Sequence, residues 1–119
     1  MNTGGGMADH IKIRELDGTW VVRASGAVLG ETSHALELRE GDYPGVIYFP
    51  RADIAMALLD PSDTTSVCPY KGKASYFSIQ TESELIKDAA WSYEAPLDGV
   101  TEIAGHLAFH ADRAVVEQL

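Results

Sequence analysis

The stretch IKIRELDGTWVVRASGAVLGET, residues 11–32, sets the fold class of this chain. Within it, Ile11–Leu16 and Trp20–Ala24 are runs rich in β-formers. They flank Asp17-Gly18, a dipeptide that favours the two-residue turn of a β-hairpin. A second turn signal, Ser25-Gly26, leads into a further apolar run. The stretch therefore predicts antiparallel strands joined by tight turns.

The rest of the chain continues this pattern with one interruption. Alternating or short apolar runs predict further strands over residues 27–29, 36–39, 46–49, 73–80, 86–93, 103–110 and 114–116. One short helix is predicted over Ala52–Leu59, ended by Asp60-Pro61 because the residue before a proline disfavours helical geometry. We expect an all-β or β-dominated fold: a small rolled antiparallel sheet, barrel-like, with one short helix.

Length and composition limit the organisation of the chain. At 119 residues it fits one domain, which we place at residues 10–119 behind a glycine-rich, flexible leader at 1–9. A hydrophobic content of 45% is too high for a disordered tail. The single cysteine excludes a disulfide framework and a zinc site built on several thiolates.

Charge and hydropathy limit the partners. The chain has 18 acidic and 9 basic residues, a net charge of −9, which argues against nucleic acid because phosphate binding draws on clustered Lys and Arg. No apolar window is long enough to span a bilayer, so no membrane partner is expected. The amino terminus lacks the basic and apolar regions of a signal peptide, and a lone thiol fits a reducing compartment. These features predict a cytoplasmic protein.

The most informative motif is TTSVCPYKGKASY, residues 64–76. Together with Trp91-Ser92-Tyr93 and the segment IAGHLAF at 103–109, it resembles a bacterial family, domain of unknown function 427, which is labelled nucleotidyltransferase-like. The resemblance covers about residues 20–113 and implies a small, mostly antiparallel β-fold. The chain departs from the family pattern at His110, where an aromatic such as tyrosine is expected.

The transferase label finds little support in the residues. Nucleotidyl transfer usually uses two metal ions held by paired carboxylates, with a glycine loop around the phosphates. The chain has no Asp-x-Asp pair, and its glycine tract, Gly4–Gly6, lies in the predicted leader. Asp60 and Asp63 would have to converge with other carboxylates in space. We therefore predict no metal site, and the sequence identifies no cofactor.

The turn at Cys68–Lys73 is the predicted ligand site. Lys71 and Lys73 are two of only nine basic residues, and Gly72 between them permits a close backbone approach. Lys71 is expected to pair with a phosphate or carboxylate, the alternative being a solvated turn lysine. Cys68 is either a thiolate nucleophile activated by the lysines or, as we favour, a buried residue that lines the site without reacting.

Aromatic and histidine side chains complete the set of candidates. Tyr70, Tyr76, Trp91 and Tyr93 are predicted to wall a pocket, the alternative being packing within the core. His106 and His110 lie four residues apart, which on a strand separates them by about 13 Å at about 3.3 Å per residue. One metal ion cannot bridge that distance, but either histidine could act alone as an acid or base.

These observations favour a small-molecule-binding domain with a site for a small anionic ligand at Cys68–Lys73. One alternative is a transferase or hydrolase acting on a phosphorylated or nucleotide substrate, with Lys71 and either His106 or His110 as candidate catalytic residues. Another is a structural or protein-interaction module that uses an open sheet edge, through which the chain could also form oligomers.

Overall fold

The computed structural model describes residues 10–119, so the predicted leader at 1–9 lies outside the described residues. Three 3₁₀ turns interrupt a chain otherwise built from strands and loops. The strands are β1 (Ile11–Glu15), β2 (Trp20–Ala24), β3 (Ala27–Thr32), β4 (Leu36–Glu40), β5 (Val46–Tyr48), β6 (Leu59–Cys68), β7 (Gly72–Gln80), β8 (Leu85–Ser92), β9 (Ala108–Phe109) and β10 (Val115–Gln118).

The strands form three sheets, ordered β1-β4-β5, β10-β2-β3 and β6-β7-β8-β9. Every strand pair in the described part of the chain is antiparallel. Two isolated bridges tie the sheets together: Phe49 with Leu107, and Gly30 with Ile54. The β-dominated antiparallel fold predicted from the sequence is confirmed.

The hairpin predicted at Asp17-Gly18 is wrong. β1 pairs with β4, and β2 pairs with β3 and β10. A type I′ turn needs positive φ at both central residues, and here only Gly18 has it, at +81°. Ser25 and Gly26 both have positive φ, 46° and 79°, and Ala24 pairs with Ala27 around them. The tight hairpin therefore lies one strand later than Asp17-Gly18 suggests.

The helix predicted over residues 52–59 is also wrong. Two 3₁₀ turns, Arg51–Asp53 and Met56–Leu58, occupy most of this segment, and β6 already begins at Leu59. Between the turns, Ile54 is extended and bridges Gly30. A helix of about two turns is marginal in isolation, so pairing with the neighbouring strand prevails.

The two carboxy-terminal strand predictions had different outcomes. The pair predicted at 73–80 and 86–93 is confirmed by β7 and β8. The strand predicted over 103–110 is mostly wrong, since only Ala108 and Phe109 form β9. A 3₁₀ turn precedes it at Thr101–Ile103, and Gly105 takes a φ of +71°, which interrupts extended backbone.

Side chains of β5, β7 and β8 are divided between two hydrophobic cores. The first core, against β2 and β3, contains Val22, Leu29, Phe49, Phe77, Ile79, Leu107 and Phe109. The second core, against β1 and β4, contains Ile11, Leu38, Tyr48, Ala74, Tyr93, Val100, Ile103 and Ala108. Adjacent residues such as Tyr48 and Phe49 enter different cores because successive strand side chains point to opposite faces. β7 is therefore packed on both faces, with Phe77 and Ile79 toward the first core and Ala74 toward the second.

Asp88 links two β-bulges in the β6-β7-β8-β9 sheet. The β6–β7 register shifts between Pro61 and Thr65, and the β7–β8 register shifts between Phe77 and Ile79. Asp88, at a φ of 52°, accepts hydrogen bonds from the hydroxyls of Ser62 (2.5 Å) and Thr64 (2.7 Å). Its amide donates to the Ser78 hydroxyl at 3.0 Å. These hydrogen bonds lower the pKa of Asp88 and link the two irregularities.

Gly30 provides a test of how closely the sheets approach one another. A Cβ at this position would lie 2.5 Å from the Asp53 carbonyl oxygen and 2.5 Å from Cδ1 of Ile54. We expect Gly30→Ala to lower the free energy of unfolding by about 1–3 kcal/mol, measured by chemical denaturation. The control Val28→Ala, at an exposed position on the same strand, should stay within about 0.5 kcal/mol of the parent. Equal stability of the two variants would contradict this close packing.

Candidate functional site

A cavity of about 220 Å³ lies on the side of the β6-β7-β8-β9 sheet that faces the second core. Strands β4, β5, β7 and β8, the β6–β7 turn and the segment after β9 all contribute to its wall. The lining residues are Leu38, Glu40, Tyr43, Pro44, Val46, Tyr48, Lys71, Tyr76, Trp91, Tyr93 and His110. The fold thus brings four of the predicted site residues, Lys71, Tyr76, Trp91 and Tyr93, to one cavity.

An ion pair lies at the wall of this cavity. The β6–β7 turn directs Lys71 toward the end of β4, where its ammonium donates to Glu40 Oε1 at 2.7 Å. The Lys71 side chain is only 12% exposed, so it is not a solvated turn lysine. The hydrogen bond from Lys71 lowers the pKa of Glu40, against the opposing effect of burial. His10 lies 3.4 Å from the other Glu40 oxygen and lowers that pKa further.

Three rings form one side of the cavity. Tyr76 and Trp91 are directly opposed across β7 and β8, so their side chains share a face of the sheet. The His110 ring stacks on Tyr76 at a centroid distance of 6.2 Å and lies 4.7 Å from Trp91. The Tyr76 hydroxyl is 3.0 Å from the Ser66 hydroxyl on β6. These three rings therefore lie next to one another at the cavity.

Two buried phenols supply neutral hydrogen-bond donors. Burial raises the pKa of Tyr48 to about 12 and also raises that of Tyr93. Tyr48 Oη accepts a hydrogen bond from the Trp91 indole at 3.3 Å. Tyr93 is 6% exposed, and its hydroxyl has no hydrogen-bond partner among residues 10–119. An unpartnered buried donor at a cavity wall is favourable for a ligand that can accept from it.

The other predicted site residues lie around this cavity but do not line it. Cys68 is half-buried at the end of β6 and packs against the second core. Tyr70 meets the His10 ring edge-on at 4.5 Å, and Lys73 is exposed on β7. The His106 ring nitrogen Nδ1 lies 3.1 Å from the carbonyl oxygen of Ala104. His110 lines the cavity, whereas His106 does not.

The sequence analysis did not single out Glu40 or Tyr48. Glu40 follows Leu36 and Leu38 at alternate positions, so the pattern places an acidic side chain on the apolar face of the strand. An acid at such a position needs a partner, and this was the signal that could have identified it. Tyr48 lies within a short apolar run, where its hydroxyl requires a partner once it is buried. Their position at the same cavity as Lys71 depends on strand order, which the sequence does not specify.

Two further features concern metals and membranes. No group of three or more His, Cys, Asp or Glu side chains within residues 10–119 is arranged to hold a metal ion. No helix in this same range is both long and apolar enough to cross a membrane.

The Glu40–Lys71 pair should make stability depend on pH. Because the folded-state pKa of Glu40 lies below its ordinary value of 4.5, the ionised carboxylate stabilises the fold above that pH. This contribution is lost as the pH falls through the lowered pKa. We expect the stability difference between the parent and Glu40→Gln to be constant above pH 4.5 and to shrink below it, measured by urea denaturation across the acid range.

The matched control is Glu82→Gln, which changes an exposed glutamate that makes no ion pair among the described residues. It should follow the parent at every pH. A Glu40→Gln difference that does not change with pH would show that the ion pair does not stabilise the fold.

Comparison with known proteins agrees with the resemblance seen in the motif. A family model described as "Domain of unknown function (DUF427)" matches residues 12–118, nearly the whole chain. A search among curated proteins found no match. The match covers all ten strands except Ile11, the first residue of β1. The chain therefore belongs to the DUF427 family.

Proposed function

We propose that this protein binds a small carboxylate ligand in the cavity lined by Lys71 and the aromatic side chains. One observation carries the proposal: a nearly buried ammonium with a single carboxylate partner lies at a cavity walled by Tyr48, Tyr76, Trp91 and Tyr93. A concave, aromatic wall with a few convergent polar groups is typical of small-molecule sites.

The available donors favour an anionic group. The Lys71 ammonium has three N–H donors, and Glu40 accepts from one of them. The Tyr48 and Tyr93 hydroxyls stay protonated at neutral pH because burial raises the pKa of each. An anion that accepts from Lys71 and from these phenols satisfies donors that otherwise remain unused in a partly desolvated site.

The charge of the site favours a carboxylate over a phosphate. Among the described residues, Lys71 is the only lysine or arginine that lines the cavity, and Glu40 already offsets its charge. Phosphate sites usually combine several cationic or backbone donors to hold a dianion. The net charge of −9 also disfavours a multiply charged ligand at long range. A monoanion with a flat or apolar body suits both the donors and the ring faces.

The main role of the Cys68–Lys73 turn is then to position Lys71 at the cavity. Lys71 holds the anion, and Cys68 and Tyr70 keep the turn against the second core without contacting the ligand. The alternative of a transferase or hydrolase acting on a phosphorylated substrate would use His110 rather than His106, because only His110 lies at the cavity with Lys71.

Ligands that share a ring and differ in charge test the proposal by isothermal titration calorimetry. Benzoate should bind, whereas benzylamine should not, because its ammonium would meet Lys71. Preferential binding or turnover of phenyl phosphate would favour the transferase or hydrolase alternative. Absence of benzoate binding at millimolar concentration would overturn the proposal.

The lysine variants test which cation holds the anion. We expect Lys71→Met to weaken benzoate binding about tenfold to a hundredfold, since a hydrogen bond to a charged group contributes about 1.5–3 kcal/mol. Lys73→Met removes the same charge from the same hairpin at an exposed position outside the cavity, and should bind as the parent does. Equal losses in both variants would indicate a general charge effect and contradict the assignment of Lys71. Thermal melts establish that both variants are folded.

Glu40→Gln should change binding in the opposite direction. It removes the carboxylate that competes for the Lys71 ammonium while keeping a side chain of the same shape. We expect benzoate to bind several-fold more tightly, even though the free variant is less stable. Weaker binding in Glu40→Gln would indicate that Glu40 contacts the ligand directly, which an anionic ligand does not permit.

A further inference from the structure

A second hollow adjoins the cavity. It is a groove of about 510 Å³ between β5, β9 and β10, and it shares four lining residues with the cavity: Pro44, Val46, Trp91 and His110. Trp91 and His110, whose ring centroids are 4.7 Å apart, therefore line both hollows. The groove begins where the aromatic side of the cavity ends.

The groove has a different chemical character from the cavity. Phe109 and Ala114, both nearly buried, line it together with the partly exposed Ile47, Val115 and Val116. Within residues 10–119, no Asp, Glu, Lys or Arg lines the groove, and His110 at the shared boundary is its only titratable lining residue. Such a surface gains from burying hydrocarbon and offers little to a second charged group.

The size of the groove argues for a ligand tail over a protein partner. A stable protein–protein interface involves about 20–30 residues on each side. Eleven residues line the groove, and four of them belong to the cavity as well. Its volume is more than twice that of the cavity, about 510 Å³ against about 220 Å³.

We propose that the ligand is a carboxylic acid with an extended apolar tail, bound with its carboxylate at Lys71 and its tail in the groove. This inference rests on the proposed function, since the same cation holds the head group. It adds the class of ligand: medium-chain alkyl or arylalkyl acids, which should bind more tightly than compact acids such as benzoate.

A chain-length series tests the tail directly. Butyrate, hexanoate and octanoate carry the same head group, and their dissociation constants can be measured by calorimetry. We expect affinity to rise by up to about fourfold for each added methylene, the gain for full burial of that group. Pentylamine, with the five-carbon tail of hexanoate and the opposite charge, should not bind at the site.

A charged side chain in the groove should remove this dependence. Val115→Glu places a carboxylate at a groove position that is 54% exposed, so the fold should tolerate it. The control Val28→Glu makes the same change at a position that is 57% exposed and lines neither compartment. A second variant, Ala111→Phe, fills the groove from an exposed position without adding charge.

The outcomes separate this inference from the proposed function. It is supported if affinity rises with chain length in the parent and in Val28→Glu but is flat in Val115→Glu and Ala111→Phe. Constant affinity from butyrate to octanoate with intact benzoate binding overturns the tail and leaves the carboxylate site in place. An unchanged increase in both groove variants places the tail elsewhere and overturns the inference. No binding by any carboxylate, benzoate included, overturns both proposals.

Discussion

The alternation of side chains along the strands, interrupted at the β-bulges, is the constraint on which the rest of the structure depends. Val46 and Tyr48 point to the second core, whereas Ile47 and Phe49 pack with the first. Because a strand side chain cannot change face without a shift in register, this pattern requires β5 to be covered by a hydrophobic core on each side. The cavity lies on the second-core side, and its Tyr76 and Trp91 rings pack against the second core.

The bulges at Asp88 maintain the register that the site needs. Both strand pairs shift near Asp88, and its carboxylate joins Ser62 and Thr64 from β6 to a residue of β8. Beyond the shift, Tyr76 and Trp91 are directly opposed, which brings their rings to the same side of the sheet. A non-glycine residue with positive φ at this point is consistent with a feature that positions other groups, since such a conformation is retained only where its surroundings compensate the strain.

Glu37 and Glu40, the buried and half-buried carboxylates of β4, each have cationic partners. Glu37 is 8% exposed, although strand alternation with Leu36 and Leu38 predicts that it faces solvent. Burial raises its pKa, but the hydrogen bond from Arg14 and the charge of Arg39 outweigh that effect and lower it overall. Glu40 is held in the same way by Lys71. The difference is that Glu40 and its lysine lie at a cavity, where a ligand can use the donors that the pair leaves free.

The sequence by itself determined the β-dominated class, most strand positions, the family and the pairing of 73–80 with 86–93, because these depend on short-range periodicity, turn residues and residue type. It did not determine how the amino-terminal strands pair. Asp17-Gly18 lacks the backbone conformation of a tight hairpin, and the segment at 52–59 pairs with β3 instead of forming a helix. Only the tertiary structure brought Glu40, Tyr48 and His110 to Lys71, and it placed Lys73 and His106 outside the cavity. The physical reason is that such contacts arise from strand order and register, which are set by the packing of the whole chain.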